Sequence, residues 1–235
     1  MTVHEWGTAP EFVGPRHELR ERLLVDLLLS GRPGRSILNA GAGQGSLSVR
    51  LEALGYEVTS VDASPNAVAV LRDRVAGEAI YADITALPFR QAQFDAAVLG
   101  EVLEHVENDE AALQEVARVV RPGGVVAISV PANPKLYGRS DEWAGHLRRY
   151  TRGDLLRACE VSGLRVERCV GWGFPVSRLY HRHVYARYLD RRGPAPAGRR
   201  LSPLVGAFGL LFQLDRLFVG VERGALGYLA LAARP

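Results

Sequence analysis

The run Ile37-Leu38-Asn39-Ala40-Gly41-Ala42-Gly43-Gln44-Gly45 constrains this chain more than any other segment. Ser36–Ala40 reads as a short apolar strand, and three glycines at alternate positions then turn the chain into a helix that runs to about Leu54. Glycine takes the left-handed backbone that a tight turn needs, and it leaves no side chain between the turn and a ligand. The helix that follows presents backbone N–H groups with no partner inside the helix. Strand, glycine turn and helix in that order point to a site for a nucleotide-like cofactor, with a plain glycine-rich turn as the alternative.

The alternation continues on both sides of this unit. Residues 16–30 read as an amphipathic helix, with Leu19, Leu23, Leu27 and Leu28 at helical spacing and Gly31 and Pro33 as its stop. Further strands are predicted at Glu57–Val61, Ala79–Ala82, Phe94–Leu99, Val125–Val130, Leu164–Val170 and Leu226–Ala232. Ser64 with Pro65, Asn108, and Thr151 with Asp154 mark the starts of three helices. Val125–Val130 is apolar without alternation, as a strand covered on both faces should be. Strand–helix alternation with short connections predicts an α/β fold with a doubly wound sheet. The length of 235 residues suits a single domain across 1–235. It divides into an N-terminal helical segment (1–35), a cofactor-binding half (36–130) and a substrate-side half (131–235) with an insertion at 172–224.

Two carboxylates sharpen the cofactor reading. Asp62 ends the second strand, 21 residues after Gly41, where a carboxylate can accept from both ribose hydroxyls. Asp83 follows the third strand, where it can accept from an adenine amino group while Ile84 packs on the ring. With these in place, residues 36–130 resemble the class I S-adenosylmethionine-dependent methyltransferases, specifically the small-molecule group that includes the ubiquinone-biosynthesis methyltransferases. The glycine turn is similar to their first motif, Val61-Asp62-Ala63-Ser64 to the second and Asp83-Ile84 to the third. The run Phe94–Val106 is similar to the fourth, and Arg121-Pro122-Gly123-Gly124 to the turn before the fifth strand. The resemblance implies a Rossmann-like sheet of seven strands, the last antiparallel, and S-adenosyl-L-methionine as cofactor. It places Gly41 and Gly43 of the Gly41-Gly43-Gly45 turn beside the methionine part, Asp62 and Ala63 at the ribose, Asp83 and Ile84 at the adenine, and the Gly100 backbone alongside. Asn39 stands where the family usually carries an acid, so it accepts from the methionine ammonium, or from a water, without a charge.

Methyl transfer from a sulfonium is an in-line displacement that gains most from alignment and exclusion of water, and a hydroxyl acceptor also gains from a base. In such sheets the active face lies beyond the carboxyl ends of the strands. The loop after the fifth strand holds His146-Leu147-Arg148-Arg149-Tyr150-Thr151, similar to a His-containing stretch of the family. His146 is therefore the expected catalytic base, with a loop-fixing histidine as the alternative. Glu101, Glu104 and His105 could share one helical face at i, i+3, i+4, and related quinone methyltransferases are described as holding a divalent ion with such a group. The string is common without metal, so a structural role is expected and no metal. The group after the fourth strand, Gly100-Glu101, does not suit methylation of a base amino group, and neither cysteine follows a proline at a strand end, as cytosine-C5 chemistry would need.

Charge singles out the insertion. The net charge is +3, yet residues 178–200 carry seven arginines against Asp190, so the rest of the chain is net acidic. Leu204–Val219 is apolar except for a stripe of Gly206, Gly209, Gln213, Arg216 and Gly220, and for Asp215. A helix of that kind is buried, as a lid or at a homodimer interface, or it touches lipid. Beside the arginines it suits a small-molecule or lipid-linked acceptor and peripheral membrane contact through 178–219. The chain shows no nucleic-acid-binding module. Cys159 and Cys169 are too few for a disulfide scaffold, and the first 18 residues lack the order of a signal peptide, so a cytoplasmic protein is expected.

Overall fold

The computed structural model describes residues 14–185 and 211–235. Its elements run α1 (Pro15–Ser30), β1 (Ser36–Ala40), α2 (Ser46–Ala53), β2 (Glu57–Asp62), α3 (Pro65–Arg74), β3 (Ala79–Tyr81) and β4 (Phe94–Gly100). They continue with α4 (Asp109–Val119), β5 (Val120–Pro131), α5 (Arg139–Ala144), α6 (Arg152–Val161), β6 (Arg165–Trp172), α7 (Val176–Tyr180) and β7 (Gly227–Ala233). The strands form one sheet in the order β3-β2-β1-β4-β5-β7-β6. β1 lies parallel to both β2 and β4, with Leu38 opposite Thr59 and Ala97. β7 is antiparallel to both neighbours, with Ala230 opposite Ile128 and Cys169. The expected seven-stranded, doubly wound sheet is therefore present.

The apolar runs of the central strands divide between two cores because alternate side chains leave opposite faces. Ile37, Val98, Val125 and Ala127 pack with α1 leucines and with Leu47 and Leu51 of α2. Leu38, Leu99, Val126 and Ile128 pack with Leu113 and Val116 of α4 and Leu155 of α6. The helix starts follow the capping side chains. Ser64 accepts from the Ala67 N–H, Asn108 from the Ala111 N–H, and Thr151 and Asp154 form a reciprocal capping box.

Two expectations need correction. Arg121–Gly124 is not a separate turn: β5 already begins at Val120, which pairs with Phe94 before an irregularity in register. Gly124 sits there because an added Cβ would lie 2.5 Å from the Asp95 carbonyl oxygen. The expected helix over Leu204–Val219 lies in part outside the described residues, and its described end is not a continuous α-helix. Leu211–Gln213 is helical, then Leu214–Phe218 tightens to a 3-10 turn. The cause is Asp215, which is turned inward and accepts from the Val176 and Ser177 N–H groups at the start of α7 (2.7 and 2.8 Å). Capping α7 outweighs continuation of a regular helix, since those buried donors would otherwise be unsatisfied.

Candidate active site

Strand order reverses between β1 and β4, the point at which sheets of this kind take ligands beyond the carboxyl ends of their strands. The glycine turn folds over the end of β2. Gly41 and Ala42 both donate to the Val61 carbonyl at 2.8 Å. Asp62 then ties the turn down: one carboxylate oxygen accepts from the Gly43 N–H and the other from the Ser64 N–H, each at 2.8 Å. Burial nevertheless holds the Asp62 carboxyl above its ordinary value, with those two hydrogen bonds opposing it. Gly41, Gly43 and Gly45 all have left-handed backbone (φ +77°, +54° and +87°). Ala63 is exposed at the same strand end, next to the Ser64 cap.

Asn39 is almost fully buried under the turn. Its amide nitrogen donates to the Ser48 hydroxyl, which contacts the Ser60 hydroxyl, each at 2.8 Å. Its amide oxygen has no partner. A buried acceptor without a donor is costly, so a cationic ammonium or a water fits there. On the other rim, Asp83 is exposed and accepts from the Thr85 N–H and hydroxyl at 2.8 Å each. Ile84 beside it is buried in the core. Gly100 ends β4, and a Cβ there would make ordinary 3.5 Å contacts with Leu24 and Leu47.

Beyond β4 and β5 the backbone is strained at two non-glycine positions, Glu101 (φ +59°) and Asn133 (φ +64°). Such outliers tend to gather at functional sites. Glu101 accepts from the Ser129 hydroxyl (3.0 Å) and lies 3.6 Å from the Arg20 guanidinium, so α1 is tied to the end of β4. The shared helical face that the spacing of Glu101, Glu104 and His105 allows does not form. Leu103–His105 is a single 3-10 turn, and Glu101 is held back toward β5. The residues brought together are Glu104, His105 and His146, whose ligand-type atoms lie within 4.8 Å of one another.

His146 is at the centre of this group. Its Nδ1 lies 2.8 Å from Asp141 and its Nε2 3.8 Å from Glu104, and its ring meets that of His105 edge-on at 4.8 Å. His105 Nδ1 contacts the Gly145 carbonyl at 3.2 Å. Asp141 also accepts from the Arg149 Nε (2.8 Å) and the Gly138 N–H (3.0 Å). Glu104 is fully buried and neither carboxyl oxygen has a hydrogen-bond partner. Sequence reasoning missed the pairing of Asp141 with His146, because a five-residue separation across the end of a short helix has no periodic signature.

The roof of the site joins α1 to the insertion. Arg16 lies 2.9 Å from His181 Nδ1. Burial, with Arg16 and Arg149 nearby, lowers His181 to about 4 from its ordinary 6.5. The unfolded chain therefore takes up a proton at a pH where the folded chain refuses it. Stability is full above pH 6.5, falls as the pH drops toward 4, and levels off below. The loss should total about 3 kcal/mol. Urea unfolding at pH 7.5 and 5.0 should show His181→Gln losing less on acidification than the parent; equal losses would remove His181 as the cause.

Residues 38–128 match the family model described as a methyltransferase domain. A malonyl-[acyl-carrier protein] O-methyltransferase from Pseudescherichia vulneris is 36% identical over 214 residues, covering 86% of this chain and 81% of that protein. A ubiquinone biosynthesis O-methyltransferase from Pseudomonas paraeruginosa is 34% identical over 144 residues, covering 57% of this chain and 62% of that protein, a little under two thirds of its length. Among solved structures, the [4+2]-cyclase SpnF covers all of this chain and 87% of its own, with a TM-score of 0.65 at 18% identity, a likeness of fold alone. By its motifs, its sheet and these relatives, the chain belongs to the class I S-adenosylmethionine-dependent methyltransferases.

Proposed function

We propose that this chain methylates an oxygen of a small or lipid-linked acceptor. The observation that carries the reading is the unpartnered Asn39 oxygen beneath a glycine turn that Asp62 pins. S-adenosylmethionine, when bound, supplies a methyl group on a positively charged sulfur. Asn39 would accept from its ammonium, and the Gly41-Ala42-Gly43-Gln44-Gly45 turn would run beside its methionine part. Asp62 would take the ribose hydroxyls on the lone pairs its two backbone bonds leave, with Ala63 alongside. Asp83 would accept from the adenine amino group, with Ile84 behind the ring and the Gly100 backbone below. His146 would receive the proton of an acceptor hydroxyl. Titration calorimetry with S-adenosylhomocysteine and, separately, NADH tests the cofactor assignment. Tight binding of NADH alone would sink it. Transfer of a tritiated methyl group to 4-octylphenol or to malonyl-acyl carrier protein then tests the acceptor class, and label in neither argues against O-methylation.

The insertion supports a peripheral membrane contact in this reading. Among the described residues no helix is long and apolar enough to cross a membrane. Leu179, Leu211, Leu214 and Leu217 are nonetheless exposed, Leu217 by 80%. Exposed Arg182 and Arg223 belong to the same insertion. Arg187, Arg191, Arg192, Arg199 and Arg200 lie outside the described residues. A basic residue near an anionic surface contributes about 1 kcal/mol. Replacing Arg191, Arg192, Arg199 and Arg200 with Gln should weaken binding to phosphatidylglycerol vesicles by on the order of a hundredfold or more. S-adenosylhomocysteine affinity should hold. Unchanged vesicle binding, with a dimer in sedimentation that Leu217→Asp splits, would favour a homodimer surface instead.

A further inference from the structure

We infer that Asp141 is the positioning residue for His146: it holds the Nδ1 proton, so that Nε2 is the atom that receives a proton from the acceptor. The inference rests on the reading of His146 as the base, and assigns roles to two acids which that reading leaves unexplained. One imidazole here stands between two buried carboxyl groups, and their surroundings are opposite. Asp141 accepts from Arg149 Nε and the Gly138 backbone N–H, and its Oδ1 lies 2.8 Å from His146 Nδ1. Neither carboxyl oxygen of Glu104 has a hydrogen-bond partner, and the side chain is fully buried.

A carboxylate with a guanidinium and a backbone N–H stays ionised, whereas an unpartnered buried carboxyl is driven to its neutral form. Both directions agree with this. Burial works against ionisation of Asp141, but its bonds with His146 and Arg149 outweigh it and hold it below the ordinary value. Burial, with Glu101 adding to it, holds Glu104 well above. Carboxyl groups whose surroundings push them apart take different roles at a site. The ionised one fixes the tautomer, because a carboxylate offers no proton to Nδ1 and can only accept from it.

Geometry leaves Nε2 available. The 3.8 Å separation from Glu104 is too long for a hydrogen bond. Asp141 itself cannot easily turn away. Arg149 is braced on the Ala132 carbonyl (3.2 Å), and Asp141 also closes the first turn of α5. The charged and titratable groups around the ring are Asp141 on α5, Glu104 and His105 on the turn after β4, and Arg149 before α6. Glu101 and Arg20 stand behind Glu104, and His181 beyond Asp141 and Arg149. In the step assigned to it, the acceptor O–H proton passes to Nε2 as the acceptor oxygen bonds to the methyl carbon, and the electron pair of the broken S–C bond stays on sulfur.

The test reads the tautomer directly. Long-range proton–nitrogen spectra of the 15N-histidine-labelled full chain with S-adenosylhomocysteine, assigned against His146→Gln, should show His146 protonated at Nδ1. Protonation at Nε2 instead overturns the proposal. Asp141→Asn should remove the Nδ1 preference and slow methyl transfer to 4-octylphenol about 10- to 100-fold, part of what a positioned general base contributes. S-adenosylhomocysteine affinity should be unchanged, and Asp141→Glu should restore part of the rate. If Asp141→Asn fails to fold because α5 loses its first turn, the wild-type spectrum decides alone. Full transfer by His146→Ala would fail the base reading while leaving the tautomer as a separate fact. Loss in His146→Ala with none in a folded Asp141→Asn would fail the proposal alone. Stoichiometric zinc or manganese bound at Nε2, with transfer abolished by chelation, would overturn it in favour of a cation held by Glu104, His105 and His146.

Discussion

Asp62→Ala should lower the affinity for S-adenosylhomocysteine by about a hundredfold or more. Two losses act together. A charge-assisted contact to the ribose hydroxyls contributes about 2–3 kcal/mol. The same substitution removes both acceptors that hold the Gly43 and Ser64 N–H groups, so the glycine turn is no longer preorganised. Some of the binding energy must then be spent on ordering it. Asp62→Asn separates the two effects, because its one remaining oxygen can hold one backbone N–H but not both while carrying no charge. It should fall between wild type and Asp62→Ala. Calorimetric titration measures both, and an unchanged affinity in Asp62→Ala would remove this strand end from the cofactor site.

Gly41→Ala should cost about 3 kcal/mol of folding stability. The left-handed φ of +77° accounts for part, since an L side chain there meets its own backbone. The rest is a clash: an added Cβ would lie 2.5 and 2.6 Å from the two Val102 methyl groups, just past the end of β4. Val102 is buried, so it cannot swing into solvent. The double variant Gly41→Ala, Val102→Ala should be less destabilised than the sum of the single variants, because the clash is gone while the strained φ persists. Urea denaturation measures this. Strict additivity would mean that φ alone carries the cost, and a stability equal to wild type would mean that the turn is not held as described.

The sheet and the glycine turn were legible because their signals are local. A strand buried on both faces must be apolar throughout, as Val125–Val130 is, and the three glycines of the first turn mark backbone angles that other residues resist. Helix starts at Ser64, Asn108 and Thr151 could be read because a capping side chain bonds its own neighbours a few positions along. The resemblance supplied the antiparallel seventh strand, which the local pattern does not encode. Tertiary structure alone decided what lies across the site. Asp141 and His146, Glu104 and His146, Arg16 and His181, and Asp215 and the start of α7 pair across loops or over long separations, and no periodicity records such partners. It also undid the shared face of Glu101, Glu104 and His105, because Ser129 and Arg20, distant in sequence, draw Glu101 away. Residue order sets the periodicities and caps, since these act over one or two turns of chain. Which buried acid keeps its proton depends on donors brought in from other elements, and only the packed fold supplies them.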